Sequence, residues 1–316
     1  MHLAVAHPAC QRIRLGADMD VQLVIAACDI VGESAVWDGS RKRLIWVDII
    51  GRRIHAFDPA SGRHHLWPVK GRPTSIGLRA DGGAILGMER HVCMWDWQGE
   101  PIPLLEVEPD RPDNRLNEGV VGPDGAFWVG TMLNNINDDD SPRDIPRATG
   151  SLYRCPPDGT VMRVTDDLFG ITNTLAFPRS GGLLTADTLT NSIYAYRIGV
   201  DGTLHGRKTL QSGFPRGLPD GSCLDAEGRL WTARVAGGAC LTCTNPDGKV
   251  ETIVELPCTW PTSCCFGGAN LSTLYVTSAR FTMTPEHLAE NPQEGALFAL
   301  DPGVSGVPAH RFGEPT

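Results

Sequence analysis

The sequence predicts an all-β fold, a six-bladed β-propeller, and three observations predict it. Helical periodicity is nearly absent, turn-forming pairs recur along the chain, and one apolar strand pattern returns six times. With 36 Gly and 24 Pro in 316 residues, the composition suits many short strands joined by turns. Asp81-Gly82, Asp124-Gly125, Asp158-Gly159, Asp201-Gly202, Asp220-Gly221 and Asp247-Gly248 are turn pairs of the kind that join such strands.

The recurrent strand reads LIWVD at 44–48, AILG at 84–87, FWVG at 127–130, LLTAD at 183–187, LWTAR at 230–234 and LYVTS at 274–278. Taking Ile45, Ile85, Trp128, Leu184, Trp231 and Tyr275 as equivalent, the spacings are 40, 43, 56, 47 and 44 residues. Six units of this length, each of several short strands, describe a propeller. A following strand is seen as RRIHAFD at 52–58, HVCMWDW at 91–97, SLYRC at 151–155, SIYAYRI at 192–198 and GALFALD at 295–301. The longest gap marks an insertion in the third unit at 134–149. One short helix is predicted at TPEHLAE, 284–290, with Thr284 as N-cap and Pro285 at the first helical position. Residues 1–20 are predicted to be a poorly ordered extension and residues 21–316 a single propeller domain.

Composition excludes several function classes. The chain carries 28 Lys plus Arg against 37 Asp plus Glu, a formal charge of −9, which disfavours nucleic acid as a partner. No apolar run approaches the roughly 18–20 residues of a membrane span, and the N-terminus lacks the basic and apolar regions of a signal peptide. Most of the ten cysteines sit in apolar strand-like runs, where a free thiol behaves as a small hydrophobe. The expectation is a reducing, cytoplasmic setting. There is no G-x-S-x-G, P-loop, dinucleotide fingerprint or H-E-x-x-H. Cys240-x-x-Cys243 reads as strand alternation, His64-His65 as a solvated turn, and Asp138-Asp139-Asp140 as a solvated acidic loop.

The strand preceding each marker is the informative one. These segments are GESAVWD, PTSIGLR, LNEGVVG, TNTLAFP, PDGSCLD and PTSCCFG, and their second residues are Glu33, Thr74, Asn117, Asn173, Asp220 and Thr262. They lie 12, 11, 11, 11, 11 and 13 residues before their markers. In a propeller the innermost strands line the central channel, so equivalent positions point at one axis. Two carboxylates, two carboxamides and two hydroxyls would form a ring at one end. For Thr74 and Thr262 the capping of strand ends is the better reading. Glu33 and Asp220 repel across a narrow channel unless a cation or proton sits between them. Oxygen donors from Glu, Asp and Asn suit a hard divalent ion such as Ca²⁺, Mg²⁺ or Mn²⁺, with Zn²⁺ also compatible.

GESAVWD followed by RLIWVDI and RIHAFDP resembles the opening blade of the SMP-30/gluconolactonase/regucalcin-like family. RLNEGVVGPDGAFWVGTM at 115–132, LPDGSCLDAEGRLWTAR at 218–234 and TSCCFGGANLSTLYVTSAR at 262–280 are similar to its third, fifth and sixth blades. The resemblance covers roughly residues 28–308. It implies a six-bladed β-propeller with one divalent metal (Ca, Zn, Mn, Mg or Fe) in the central channel, held by Glu33, Asn173 and Asp220. It also implies substrate contacts from Arg115, Asn117 and Asn135, with Asn134 a further candidate, and a lid-like loop at 136–149. Polar, in the longest gap and after a pocket-facing strand, that loop is expected to shape substrate choice without supporting the fold. The chain departs from the family pattern at Glu118, usually Asp, at Thr174, usually Gly, and at the turn 178–182.

These readings converge on a metal-dependent hydrolase that opens a small-molecule sugar lactone. Asp220 is the expected general base, and Arg115 with the cation would hold the developing oxyanion. Glu118, one residue from Asn117, is expected on the opposite face of its strand. Two alternatives remain open at this stage: a phosphotriesterase-like hydrolase on the same propeller, and a non-enzymatic calcium-binding propeller.

Overall fold

The computed structural model describes Arg14–Leu15 and residues 19–315. Six sheets, each built on four antiparallel strands, radiate around one axis, and two of them gain a fifth, parallel strand. Their innermost strands are Gly32–Asp38, Pro73–Arg79, Asn114–Val121, Thr172–Ala176, Leu218–Leu224 and Pro261–Gly267. The first five sheets run outward in chain order through successive hairpins. The sixth takes its outer strand from the other end of the chain: Gln22–Ile25 pairs antiparallel with Leu297–Leu300. This pairing closes the ring, because no consecutive hairpin supplies that strand.

The six markers share one register. Ile45 pairs with Val36, Ile85 with Gly77, Trp128 with Val120, Leu184 with Ala176, Trp231 with Cys223 and Tyr275 with Cys265. All six are buried, at 9% exposure or less. They pack in clusters that span neighbouring blades, such as Trp37 and Trp46 of blade 1 with Cys265 and Tyr275 of blade 6. Burial of one such side chain contributes about 1.5–3 kcal/mol, so blade contacts dominate cohesion. The marker tryptophans Trp128 and Trp231 donate to carboxylates of the preceding turns, Asp124 at 3.1 Å and Asp225 at 3.0 Å, which satisfies the indole N–H at the buried edge.

Several local expectations change. Arg14–Leu15, within the stretch read as an extension, runs parallel to Val250–Glu255 as a fifth strand of blade 5. Of the other extension residues, 1–13 and 16–18 lie outside the described residues. His64-His65 is part of the strand Arg63–Pro68. The His64 ring stacks on Trp46 and lies 2.9 Å from His55 Nδ1. The helix Pro285–Glu290 forms with Thr284 as its cap, accepting from the His287 N–H at 3.2 Å. No helix among the described residues is long and apolar enough to cross a membrane. All nine described cysteines are free.

The C-terminal tail crosses the end of the channel away from Glu33. The Gly306 N–H donates to the Leu271 carbonyl of blade 6, and the Ala226 N–H of blade 5 to the Ser305 carbonyl. Arg311–Phe312 then pairs parallel with the inner strand of blade 2, and the Gly313 N–H donates to Gly125 of blade 3. Val307 and His310 line the cavity at that mouth.

Candidate active site

Every inner strand carries a bulge at or beside its ring residue. Pairing is interrupted between Glu33 and Val36, Pro73 and Ser75, Leu116 and Gly119, Asn173 and Leu175, Pro219 and Ser222, and Pro261 and Cys264. A bulge leaves extra residues unpaired, kinks the strand and re-aims its side chains. At two bulges a non-glycine residue takes the left-handed region, Ser34 at φ 53° and Thr174 at φ 51°. A β-branched residue there is strained. Thr174 is held by its own hydroxyl, which donates to the Asp220 carbonyl at 2.5 Å and lies 2.7 Å from Ser222 Oγ.

The bulged strands bring five of the six ring residues, Glu33, Asn117, Asn173, Asp220 and Thr262, to one pocket together with Arg115 and Asn135. The pocket encloses about 660 Å³ of empty space, part of it open to solvent. Thr74 stays out of it, its hydroxyl donating to the Gly87 carbonyl at 3.2 Å. The Thr262 hydroxyl donates to the Gly32 carbonyl and lies 3.0 Å from Thr277 Oγ1. Asn134 turns back into its own loop, accepting from the Ile136 N–H at 3.1 Å.

One hydrogen-bonded chain runs through the floor. Arg115, 6% exposed, donates through Nε and Nη2 to Asn135 Oδ1 at 3.2 and 2.8 Å. Its Nη1 donates to Asn117 Oδ1 and to the Leu116 carbonyl, both at 2.8 Å. Asn117 Nδ2 donates to the Thr172 carbonyl at 2.8 Å and to Asn173 Oδ1 at 3.2 Å. Asn173 Nδ2 donates to Thr188 Oγ1 at 2.9 Å, and Thr188 donates to the Pro219 carbonyl at 2.8 Å, next to Asp220. This chain sets the Asn173 amide with its oxygen away from Thr188. Sequence reasoning did not find Thr188, although its place just past the strand Leu183–Asp187 puts it at the channel mouth.

Burial first, then the neighbouring Asp220 and Glu118 carboxylates, hold the Glu33 carboxyl well above the usual range. Burial and then Glu118 do the same to Asp220. Burial pushes Glu118 itself up to about 7. Glu118 is therefore close enough to act on both carboxylates. It does not line the pocket with Asn117 but a second cavity beside Ser34, Ser222 and His310. Arg115, lowered to about 10 by burial, is still a cation at neutral pH and opposes the rise at Glu33.

Three carboxyl groups thus share one buried region with a single guanidinium acting on Glu33. That imbalance, together with oxygen-only donors, fits a hard divalent ion. Among the described residues no group of three or more His, Cys, Asp and Glu side chains is assembled to hold a metal. An ion at Glu33 and Asp220 would therefore take its third protein ligand from the Asn173 amide oxygen.

The insertion forms one wall and is tied down. Ile136 is 3% exposed and packs in the core shared by blades 1 and 2. Asp140 is not a solvated loop residue. Both its oxygens accept from Arg52 at 2.8 Å, and Oδ1 accepts from Arg72 Nη2 at 2.6 Å. Arg72 also donates to the Asn137 carbonyl at 2.9 Å and to Glu89 at 2.5 Å. The Arg143 N–H donates to the Asn135 carbonyl at 2.8 Å, which continues the floor network into the loop.

Comparison with known proteins agrees with this architecture. Residues 31–280 match the SMP-30/Gluconolactonase/LRE-like region. Regucalcin of Xenopus laevis is 33% identical over 301 residues, covering 94% of this chain and 99% of that protein. The 6-deoxy-6-sulfogluconolactonase of Pseudomonas putida is 33% identical, covering 90% and 96%. Among solved structures, a calcium-binding regucalcin from Agrobacterium tumefaciens superposes with a TM-score of 0.83 at 26% identity, covering 93% of this chain and 97% of that one. With a propeller whose bulged inner strands converge on one polar pocket, and a match across most of its length, the chain belongs to the SMP-30/gluconolactonase/LRE-like family.

Proposed function

We propose that this protein is a divalent-metal-dependent lactonase acting on a small sugar lactone. The observation that carries the reading is the convergence of Glu33, Asn173 and Asp220 beside Arg115 in one pocket of a chain 33% identical to a sulfogluconolactonase. Glu33, Asn173 and Asp220 would hold the cation, which supplies Lewis-acid polarisation of the lactone carbonyl. Asp220 takes the proton of the attacking water, since no histidine among the described residues lines the pocket. Arg115 has one Nη2–H left after its bonds to Asn135, Asn117 and Leu116, and this N–H meets the oxygen on which negative charge develops. Asn135 and Asn117 hold Arg115 in that orientation, and the Asn135 amide N–H groups remain for a substrate hydroxyl. The product is the open-chain hydroxy acid.

The test is hydrolysis of a panel of aldonolactones, monitored by proton release, with Ca²⁺, Mg²⁺, Mn²⁺, Fe²⁺ or Zn²⁺ and with chelator. Chelator-sensitive hydrolysis supports the reading. Turnover of phosphotriesters but of no lactone would replace it with the organophosphatase alternative, and ion binding without turnover of either would leave a calcium-binding propeller.

A further inference from the structure

The side of the pocket opposite Arg115 is aromatic. The inner strands touch in chain order around the axis, the sixth against the first, so blades 3 and 6 face each other. Arg115 and Asn135 enter the pocket from blade 3, and Trp260 and Phe281 from blade 6. Trp260 and Phe281 are half-buried and are the aromatic side chains among the described residues of the lining. The segment carrying Trp260 is fixed in place. Cys258 is 3% exposed, the Thr259 N–H and hydroxyl donate to Glu294 at 2.9 and 2.6 Å, and the Ala279 N–H donates to the Trp260 carbonyl at 2.9 Å. Five other tryptophans donate their indole N–H within the protein: Trp46 to Asp29, Trp95 to Gly99, Trp97 to Gly82, Trp128 to Asp124 and Trp231 to Asp225. Among the described residues the Trp260 N–H has no such acceptor, and Trp260 is the tryptophan that lines this pocket. Part of the pocket is open to solvent, so water can meet that N–H until a ligand displaces it. A ligand that does so returns the hydrogen bond or loses affinity. The same holds for the Asn135 amide N–H groups and the remaining Arg115 N–H. Apart from the three candidate ligands, the unspent side-chain groups are therefore N–H donors on two facing walls, each calling for an oxygen on the ligand.

We propose that Trp260 is a substrate-binding residue that sets specificity. Its indole N–H donates to a hydroxyl oxygen of the bound lactone, and its aromatic body gives a large, rigid contact surface at low entropic cost. This rests on the lactonase reading of the same pocket and deepens it, by naming the residue that selects a hydroxyl-bearing lactone over a bare lactone ring.

Two variants test it. Trp260→Phe removes the N–H and keeps an aromatic body, and Trp260→Ala removes both. The substrate is the aldonolactone that wild type hydrolyses with the highest kcat/KM, assayed at saturating divalent ion. Its KM is expected to rise about 3- to 10-fold in Trp260→Phe, the worth of one hydrogen bond, and about 10- to 100-fold in Trp260→Ala. Turnover should change little, since binding shared by ground and transition states is what is lost. δ-Valerolactone, a lactone ring without hydroxyls, offers that N–H no hydroxyl oxygen. Its KM, or its inhibition constant against the aldonolactone, should stay unchanged in Trp260→Phe and rise in Trp260→Ala. Metal affinity should be equal in all three proteins, because Trp260 is not among the candidate ligands. Binding of the product aldonate should alter the tryptophan emission of wild type and not that of Trp260→Phe. An unchanged aldonolactone KM in the folded variants, an equal rise for both lactones in Trp260→Phe, or the same emission response in wild type and Trp260→Phe overturns the proposal while leaving the lactonase reading intact. A wild type that hydrolyses no lactone with any ion removes both.

Discussion

At Asp220 the roles of ligand and base separate by one substitution. Asp220→Asn keeps an oxygen donor but cannot take a proton at neutral pH. Turnover should fall about 10²- to 10⁴-fold even at saturating metal if Asp220 is the base. Recovery of near-wild-type rates at full occupancy would assign it to binding alone. Thr188 acts at one remove, bridging the Asn173 amide to the strand of Asp220. Thr188→Val should weaken metal affinity by about 10- to 100-fold while kcat at saturating metal changes little, which metal titration beside kinetics would read. The raised carboxyls have a pH consequence. Glu33, Asp220 and Glu118 retain protons in the metal-free protein at pH values where ordinary carboxylates have lost them. A cation has to displace those protons, so affinity should rise with pH through neutrality, by up to about tenfold per unit for each proton displaced. Calorimetry in buffers of different ionisation enthalpy should show proton release on binding, and an affinity flat between pH 5.5 and 8 would contradict it.

Among the elements, the bulged inner strand and the third-blade insertion matter most. A regular strand would alternate Asn117 and Glu118 between faces. Across the interruption between Leu116 and Gly119, Asn117 lines the pocket and Glu118 a second cavity, from which its charge raises the Glu33 and Asp220 carboxyls. Thr174 takes a φ of 51° where the family pattern has Gly, and its hydroxyl compensates by bonding to Asp220 and Ser222. The insertion was expected to be independent of the fold, yet Ile136 is core and Asp140 is clamped by Arg52 and Arg72. Ile136→Ala should therefore cost about 2–4 kcal/mol in denaturant unfolding. Asp140→Ala leaves buried Arg72 with Glu89 alone among carboxylates. It should cost on the order of 1–3 kcal/mol and raise KM more than it lowers kcat, since it loosens the wall rather than the floor. Equal melting temperatures for wild type and both variants would return the loop to a peripheral role.

Across the whole molecule, the two chain ends do the closing. Gln22–Ile25 completes blade 6, and the tail after Leu300 ties blades 5 and 6 to blades 2 and 3 across the mouth opposite the pocket. A ring of blades with one unpaired edge has no neighbour to complete its last sheet. Truncation after Leu300 would uncover Val36, Val121 and Phe266 at the lower mouth, which Val307 and His310 now adjoin. That truncation should lower the melting temperature by several degrees and increase binding of a hydrophobic dye, with metal affinity largely retained because the pocket lies at the other end. Loss of metal binding in a still-folded truncation would show that the two mouths are coupled.

The repeat was legible in the sequence because blade hairpins are local. Turn pairs, alternating apolar runs and marker spacing all act within 40–56 residues, and the six markers share one structural register. The ring positions were legible for the same reason, since equivalence along a repeat becomes equivalence around an axis. Tertiary structure alone decided the rest. Bulges depend on what each strand packs against, so neither the charge that Glu118 exerts on Glu33 and Asp220 nor the withdrawal of Thr74 could be read from alternation. The Arg72–Asp140 clamp joins residues 68 positions apart, and the Gln22–Ile25 closure joins the two ends of the chain. The pocket walls gather apolar side chains from across the ring, each of which looks like ordinary core in its own segment. Periodicity encodes which residues share a face; only the closed ring brings distant faces together.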